Sequence, residues 1–108
     1  MLHGIMDYKN SKNEYVGIYA HEEYELIVVV NETTCESKVF NDLKNGLYRM
    51  YDYIVNDNVK YIYGMVDWLL KDMWEELQDN NRYLSNNENL RKVIETYMED
   101  YCVELSKY

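Results

Sequence analysis

The spacing of hydrophobic and polar residues in the first third of the chain predicts strands. Tyr15–Ala20 is rich in strand-forming residues, and Tyr24–Asn31 contains five consecutive aliphatic residues, a run typical of a central strand or one covered on both faces. The short connection between the two segments predicts an antiparallel hairpin. Cys35–Phe40 is predicted as a third strand, whereas the polar residues 7–14 indicate a loop.

From about Asn41 the hydrophobic residues recur at the intervals of amphipathic helices. This pattern predicts a helix at 41–56 and another at 86–106, the latter opened by a capping box formed by Ser85 and Glu88. Between them, residues 59–79 are predicted to form one long helix. Its hydrophobic stripe consists of Val59, Ile62, Tyr63, Val66, Leu69, Leu70, Met73 and Leu77.

The order of these elements, with strands first and helices afterwards, predicts an α+β fold. We expect a small antiparallel sheet, formed by a hairpin or by three strands, followed by about three packed helices. The length of 108 residues fits one domain, spanning residues 1–108, and neither an internal repeat nor a linker divides the chain.

The sequence contains no recognisable catalytic, metal-binding or nucleotide-binding motif. His3, His21, Cys35 and Cys102 form no closely spaced ligand pair, and there is no phosphate-binding loop and no nucleophile elbow. We therefore predict a protein without enzymatic activity, metal or cofactor, and the alternative is an enzyme whose site is unrecognised. The absence of a signal-peptide pattern and of an apolar stretch of membrane-spanning length predicts a cytoplasmic protein with reduced cysteines.

Charge and tyrosine content change the functional picture most. The chain has 20 Asp and Glu against 11 Lys and Arg, a net charge of −9, and 13 tyrosines. This charge disfavours direct binding to nucleic acid or to an anionic membrane, because phosphate recognition requires clustered Lys and Arg. It favours a basic protein partner, and tyrosines are enriched at protein interfaces.

Two acidic and aromatic segments are candidate binding surfaces. On the predicted 59–79 helix, the side opposite the hydrophobic stripe carries Tyr61, Trp68, Asp72, Glu75 and Asp79. Trp and Tyr beside charged residues are typical of binding hot spots, although this second side alternatively packs against the sheet or another helix. The second candidate is the hairpin turn with Glu22, Glu23 and Glu25, flanked by Tyr19 and Tyr24, for which the alternative is a solvated turn.

In its shortness, acidity, tyrosine content and order of hairpin and helices, the chain resembles phage anti-CRISPR proteins and other DNA mimics, as well as acidic immunity proteins. The resemblance extends over the whole chain as a type, with no shared motif and no transferable site residue. It implies a stoichiometric inhibitor that occupies the basic nucleic-acid-binding surface of a nuclease such as a CRISPR effector. The alternative function is that of an acidic immunity protein, antitoxin or phage accessory protein without enzymatic activity.

Overall fold

The computed structural model describes residues 1–21, 23–41, 43–79, 84 and 87–101, with the side chains of residues 43 and 44 left aside. Within these ranges the chain forms five strands and three helices. The strands are β1 (His3–Asn10), β2 (Tyr15–His21), β3 (Leu26–Asn31), β4 (Glu36–Asn41) and β5 (Val59–Met65). The helices are α1 (Leu43–Asp57), α2 (Asp67–Gln78) and α3 (Glu88–Asp100).

The strands form one antiparallel sheet in the order β4-β3-β2-β1-β5. The predicted α+β class and the predicted hairpin of β2 and β3 are confirmed, and the strand predicted at 35–40 corresponds to β4. The sheet is larger than expected, because β1 and β5 extend it on the other side of the hairpin. Within the described residues, no helix is long and apolar enough to cross a membrane.

One face of the sheet is buried against the helices, and side chains on the other face remain partly exposed. Helix α1 contacts β3 and β4, α3 contacts β5, and α2 contacts α3. The strands contribute a row of buried side chains to this core: Tyr8, Val16, Ile18, Ile27, Val29, Phe40 and Ile62. The helices contribute Met50, Tyr51, Ile54, Leu69, Leu70, Met73, Leu77, Leu90, Ile94 and Tyr97.

The prediction of a loop at 7–14 is wrong for residues 7–10, which belong to β1, whereas residues 11–14 form the connection between β1 and β2. The inward positions of this part of β1 are Tyr8 and Asn10, both fully buried, whereas Asp7 lies on the open face of the sheet. The buried side chains are polar, so the segment lacks the apolar alternation that marks a strand. Their polar groups are satisfied inside the protein: the Tyr8 hydroxyl donates to Oδ2 of Asp57 at 2.7 Å, and Asn10 Nδ2 donates to Oδ1 of the same residue at 3.0 Å.

The prediction of one helix over 59–79 is also wrong, because this segment is strand β5 followed by helix α2. The pairing of β1 with β5 is irregular at two places, where Lys60 and Tyr63 are extra residues on β5. As a result, Val59 and Ile62 both face the core although they are three residues apart. A strand normally repeats every two residues, so these bulges imitate the spacing of a helix.

Helix α3 covers the outer edge of β5 with side-chain hydrogen bonds. The Asn89 amide donates to the Val59 carbonyl at 3.2 Å, the Tyr97 hydroxyl accepts from the Met65 amide at 3.1 Å, and the Tyr101 hydroxyl donates to the Tyr63 carbonyl at 2.9 Å. These bonds satisfy backbone groups that an unpaired edge strand would leave open.

The predicted third helix is confirmed for Glu88–Asp100, and its N-cap is Asn87, whose Oδ1 accepts from the Leu90 amide at 2.8 Å. The predicted cap Ser85, the end of this helix beyond 101 and Cys102 lie outside the described residues. Cys35 is an exposed free thiol.

Candidate functional site

Helix α2 presents part of the predicted acidic and aromatic surface. Its core side carries Leu69, Leu70, Met73 and Leu77, which are buried. On its other side, the Trp68 side chain is 46% exposed, and Glu75 and Asp79 are exposed as well. Trp68 is thus a surface residue, in contrast to the alternative in which the second side of this helix is packed.

The other two residues predicted on this helix are placed differently. Asp72 is half-buried and accepts a hydrogen bond from the hydroxyl of the buried Tyr51, which ties it to α1. Burial, followed by this hydrogen bond, raises the pKa of Tyr51. Tyr61 lies on β5, where its hydroxyl donates to Oδ2 of Asp100 at 2.9 Å. Both side chains are thus held by hydrogen bonds within the fold, and Tyr61 lies on a strand and not on the exposed side of α2 as the helical prediction required.

The hairpin turn between β2 and β3 is the second predicted surface, and Glu22 within it lies outside the described residues. Glu23 and Glu25 are exposed, and Glu25 adopts a left-handed backbone conformation with φ of 49°. Tyr24 is exposed, with its ring centroid 4.4 Å from that of His21. Tyr19 does not join this cluster, because its side chain lies further along the open face of the sheet.

A groove of about 440 Å³ lies on the open face of the sheet, across β2, β1 and β5. Asp7 stands at its centre and is paired across the strands with Gly17 on one side and Gly64 on the other. The two glycines carry no side chains, so backbone atoms line the groove on both sides of the Asp7 residue. The groove, called the sheet groove below, is lined by Asp7, Gly17, Gly64, Tyr15, Tyr19, Tyr63 and Glu32, together with neighbouring residues.

The tyrosine rings of the sheet groove are held by contacts with one another and with the sheet. The ring centroids of Tyr15 and Tyr63 are 5.9 Å apart, and those of Tyr63 and Tyr61 are 5.0 Å apart in an edge-to-face arrangement. The Tyr19 ring lies over Gly17, where a Cβ atom would come within 3.1 Å of it. Its hydroxyl donates to Oε1 of Glu32 at 3.3 Å. The aromatic lining is therefore organised before any ligand arrives.

Two carboxylates share this groove and repel each other. Partial desolvation, followed by the negative charge of Glu32, raises the pKa of Asp7 above its ordinary value. Desolvation and the proximity of Glu32 also raise the pKa of the Tyr19 hydroxyl. The groove thus holds negative charge in a place that is unfavourable for it while the protein is free.

The Asp7→Asn variant is expected to be more stable than the native protein at neutral pH. A folded-state pKa raised above the usual 3.8 means that stability decreases as pH rises from that value through the folded pKa, and the loss persists at higher pH. Asparagine does not titrate, so the stability gained by Asp7→Asn over the native protein disappears when the pH falls below the pKa of Asp7 in the unfolded chain. Urea unfolding at a series of pH values measures this difference. Glu75→Gln, which removes one exposed negative charge from α2, is the matched control. A variant less stable than the native protein at neutral pH contradicts the expectation.

The sheet groove was not among the predicted sites, although its sequence signal is visible. Tyr15, Gly17 and Tyr19 alternate with inward-facing Val16 and Ile18. A glycine inside a strand often marks a place where another group approaches the backbone closely. The partners of this segment, Asp7 and Gly64, come from distant parts of the chain and have no local signal.

No protein-family model matches this chain, and no curated protein or solved structure is significantly similar to it. Among the residues that the structure describes, no three His, Cys, Asp or Glu side chains are grouped so that they could hold a metal ion. The structural basis for a functional proposal is a five-stranded α+β domain with an acidic, tyrosine-lined sheet groove, an exposed side of α2 and an acidic hairpin turn.

Proposed function

We propose that this protein is a stoichiometric inhibitor that binds the basic nucleic-acid-binding surface of a nuclease, such as a CRISPR effector, without catalysing a reaction. The observation that carries the proposal is the sheet groove, in which tyrosine rings surround carboxylates on a chain with a net charge of −9. A basic surface that normally binds phosphates is the complementary partner for such a groove.

The α2 surface extends this candidate interface. Val66 lines the groove and is the N-cap of α2, so the first turn of the helix, with Trp68, begins at the end of the groove. Glu75 and Asp79 continue the negative charge along the exposed side of the helix. Aromatic anchors would supply most of the affinity, whereas the exposed carboxylates would accelerate the encounter in a salt-dependent way.

A competition experiment tests this proposal directly. Purified CRISPR effector nucleases are mixed with fluorescently labelled target DNA, and this protein is titrated into each complex while fluorescence anisotropy reports DNA binding. We expect loss of DNA binding that is complete at an equimolar ratio and weaker at high salt. Full inactivation by far less than one equivalent would indicate a catalytic mechanism. Unchanged DNA binding at low salt with excess protein for every nuclease would contradict the proposal.

Trp68→Ala is expected to weaken binding to the nuclease by about 30-fold, corresponding to about 2 kcal/mol, because exposed Trp residues at interfaces are frequent hot spots. Its thermal stability should remain nearly native, since the side chain is 46% exposed. Val39→Ala is the control, because Val39 is also exposed but lies on edge strand β4. Equal binding by native and Trp68→Ala protein in the competition assay would remove the α2 surface from the interface.

A further inference from the structure

The sheet groove has the chemistry of a site for a single cationic side chain. We propose that it receives an arginine of the partner protein, with the guanidinium group against the carboxylates of Asp7 and Glu32 and its flat faces against the tyrosine rings. The identity of the occupant as part of a basic protein rests on the proposed function. The recognition of an arginine side chain rests on the groove itself.

The shape of the groove depends on its two glycines. A Cβ atom at Gly64 would lie 2.8 Å from Oδ1 of Asp7, and one at Gly17 would lie 3.1 Å from Oε1 of Glu32. Any side chain at these positions would therefore displace the carboxylates or occupy part of the groove. With glycine at both positions, a volume of about 440 Å³ remains open beside the two acids. This is ample room for the end of one long side chain.

The charges in the groove lack a cation of their own within the described part of the chain. Asp7 is affected by Glu32, and Glu32 accepts from the Tyr19 hydroxyl, but neither carboxylate forms an ion pair with Lys or Arg there. Lys9, which follows Asp7 by two residues on β1, has its Nζ 5.2 Å from the centroid of the Tyr15 ring. This contact shows that the Tyr15 ring accepts a positive charge over its face.

Arginine fits these features better than lysine does. Its planar group presents several N–H donors in fixed directions that match the geometry of a carboxylate, and it stacks on aromatic rings. The ammonium group of lysine is compact and strongly hydrated, and it gains less from flat aromatic walls. Binding of either cation would relieve the repulsion between Asp7 and Glu32 that the free protein carries.

The first experiment uses a small probe on the isolated protein. N-acetyl-arginine methylamide is added at millimolar concentrations to ¹⁵N-labelled protein, and amide shifts are followed by NMR. The lysine and citrulline analogues are added to parallel samples. We expect shifts centred on the amides of Gly17 and Gly64 with the arginine compound, smaller shifts with lysine, and none with citrulline, which is uncharged. Shifts elsewhere only, or equal shifts with citrulline, would overturn the proposal.

The second experiment uses a double variant, Asp7→Asn with Glu32→Gln, which keeps the shape of the groove and removes its charge. Its matched control is Glu36→Gln with Glu95→Gln, which removes the same charge from exposed sites on β4 and α3, outside the groove, the α2 surface and the hairpin turn. We expect the groove variant to bind an arginine-rich peptide about 30-fold more weakly than the control variant does. Equal affinity of the two variants would overturn the proposal. Circular dichroism checks that both variants remain folded. Gly64→Leu, which occupies the groove without changing charge, should also weaken binding of this peptide if it remains folded, and native affinity in the folded variant would overturn the proposal.

The failure of this inference and the failure of the proposed function give different results. If the groove variant inhibits a nuclease as well as the native protein does, the arginine site is wrong and the inhibitor proposal stands. If the arginine probe binds at Gly17 and Gly64 while no nuclease loses DNA binding, the arginine site is supported and the inhibitor proposal falls.

Discussion

Asn10→Ala is expected to lower the free energy of unfolding by about 2–4 kcal/mol, because the Asn10 side chain joins three parts of the fold and is fully buried. Its Oδ1 accepts from the amides of Lys12 and Glu14, each at 3.0 Å, and so shapes the turn between β1 and β2. Its Nδ2 donates to Oε1 of Glu14 at 2.9 Å and to Oδ1 of Asp57 at 3.0 Å. Alanine would leave these polar groups without their partner in the interior of the protein.

Urea unfolding of the native protein, Asn10→Ala and two further variants measures this effect. Asn56→Ala on the exposed side of α1 is the control, and it should change stability by less than about 0.5 kcal/mol. Asn10→Asp should be destabilising at neutral pH, since a carboxylate would then face Glu14 and Asp57. Its stability should recover in part as the pH falls, because protonation removes this repulsion. A near-native Asn10→Ala variant would show that the turn does not depend on this side chain.

Met73→Ala is expected to lower the free energy of unfolding by about 2–5 kcal/mol, the range for removing a large apolar side chain from a packed core. Met73 is fully buried on α2, and it belongs to the same cluster as Tyr51 and Ile54 of α1. The truncation leaves a cavity in this core, and the surrounding side chains relax only in part.

The comparison with Trp68→Ala, on the exposed side of the same helix, makes this prediction specific. Thermal unfolding should show a large decrease in midpoint for Met73→Ala and little change for Trp68→Ala, because Trp68 is 46% exposed. The opposite order of effects would mean that the helix is rotated so that Trp68 faces the core. In that case Trp68 would no longer be a candidate for partner binding.

The carboxylates of the sheet groove lower the stability of the fold. Asp7 has a pKa above its ordinary value, because partial burial and the charge of Glu32 make its ionisation less favourable in the folded protein than in the unfolded chain. Removing the charge is expected to stabilise the fold and, on the arginine proposal, to weaken binding. Opposite effects of one substitution on stability and on binding are common where residues are selected for function.

Part of this fold follows from local sequence patterns. The consecutive aliphatic residues of β3 and the helical spacing in α1 and α3 appear in the structure as predicted. These patterns are reliable because each element buries one side, and the period of its hydrophobic residues reports that side directly. The composition also carries the acidity on which the functional proposal rests.

The remaining features depend on contacts between distant segments. The stripe that starts at Val59 has helical spacing only because β5 bulges against β1, and pairing with a distant strand creates those bulges. Asn58, with φ of 54°, ends α1, and the residues after it pair with β1 instead of starting a new helix. The local sequence contains no information about the strand with which a segment pairs. The spacing of hydrophobic residues therefore predicted a helix where the structure has β5.

The sequence by itself determined the class of fold, the negative charge and the abundance of tyrosine. Only the tertiary structure decided which of these residues lie together. The sheet groove combines Asp7, Gly17, Glu32 and Gly64, whose positions depend on the strand order and on the register of three strand pairs. A shift of one residue in any pairing would turn a strand over and send its side chain to the other face. Long-range register, which no short segment encodes, therefore placed the carboxylates beside the tyrosine rings.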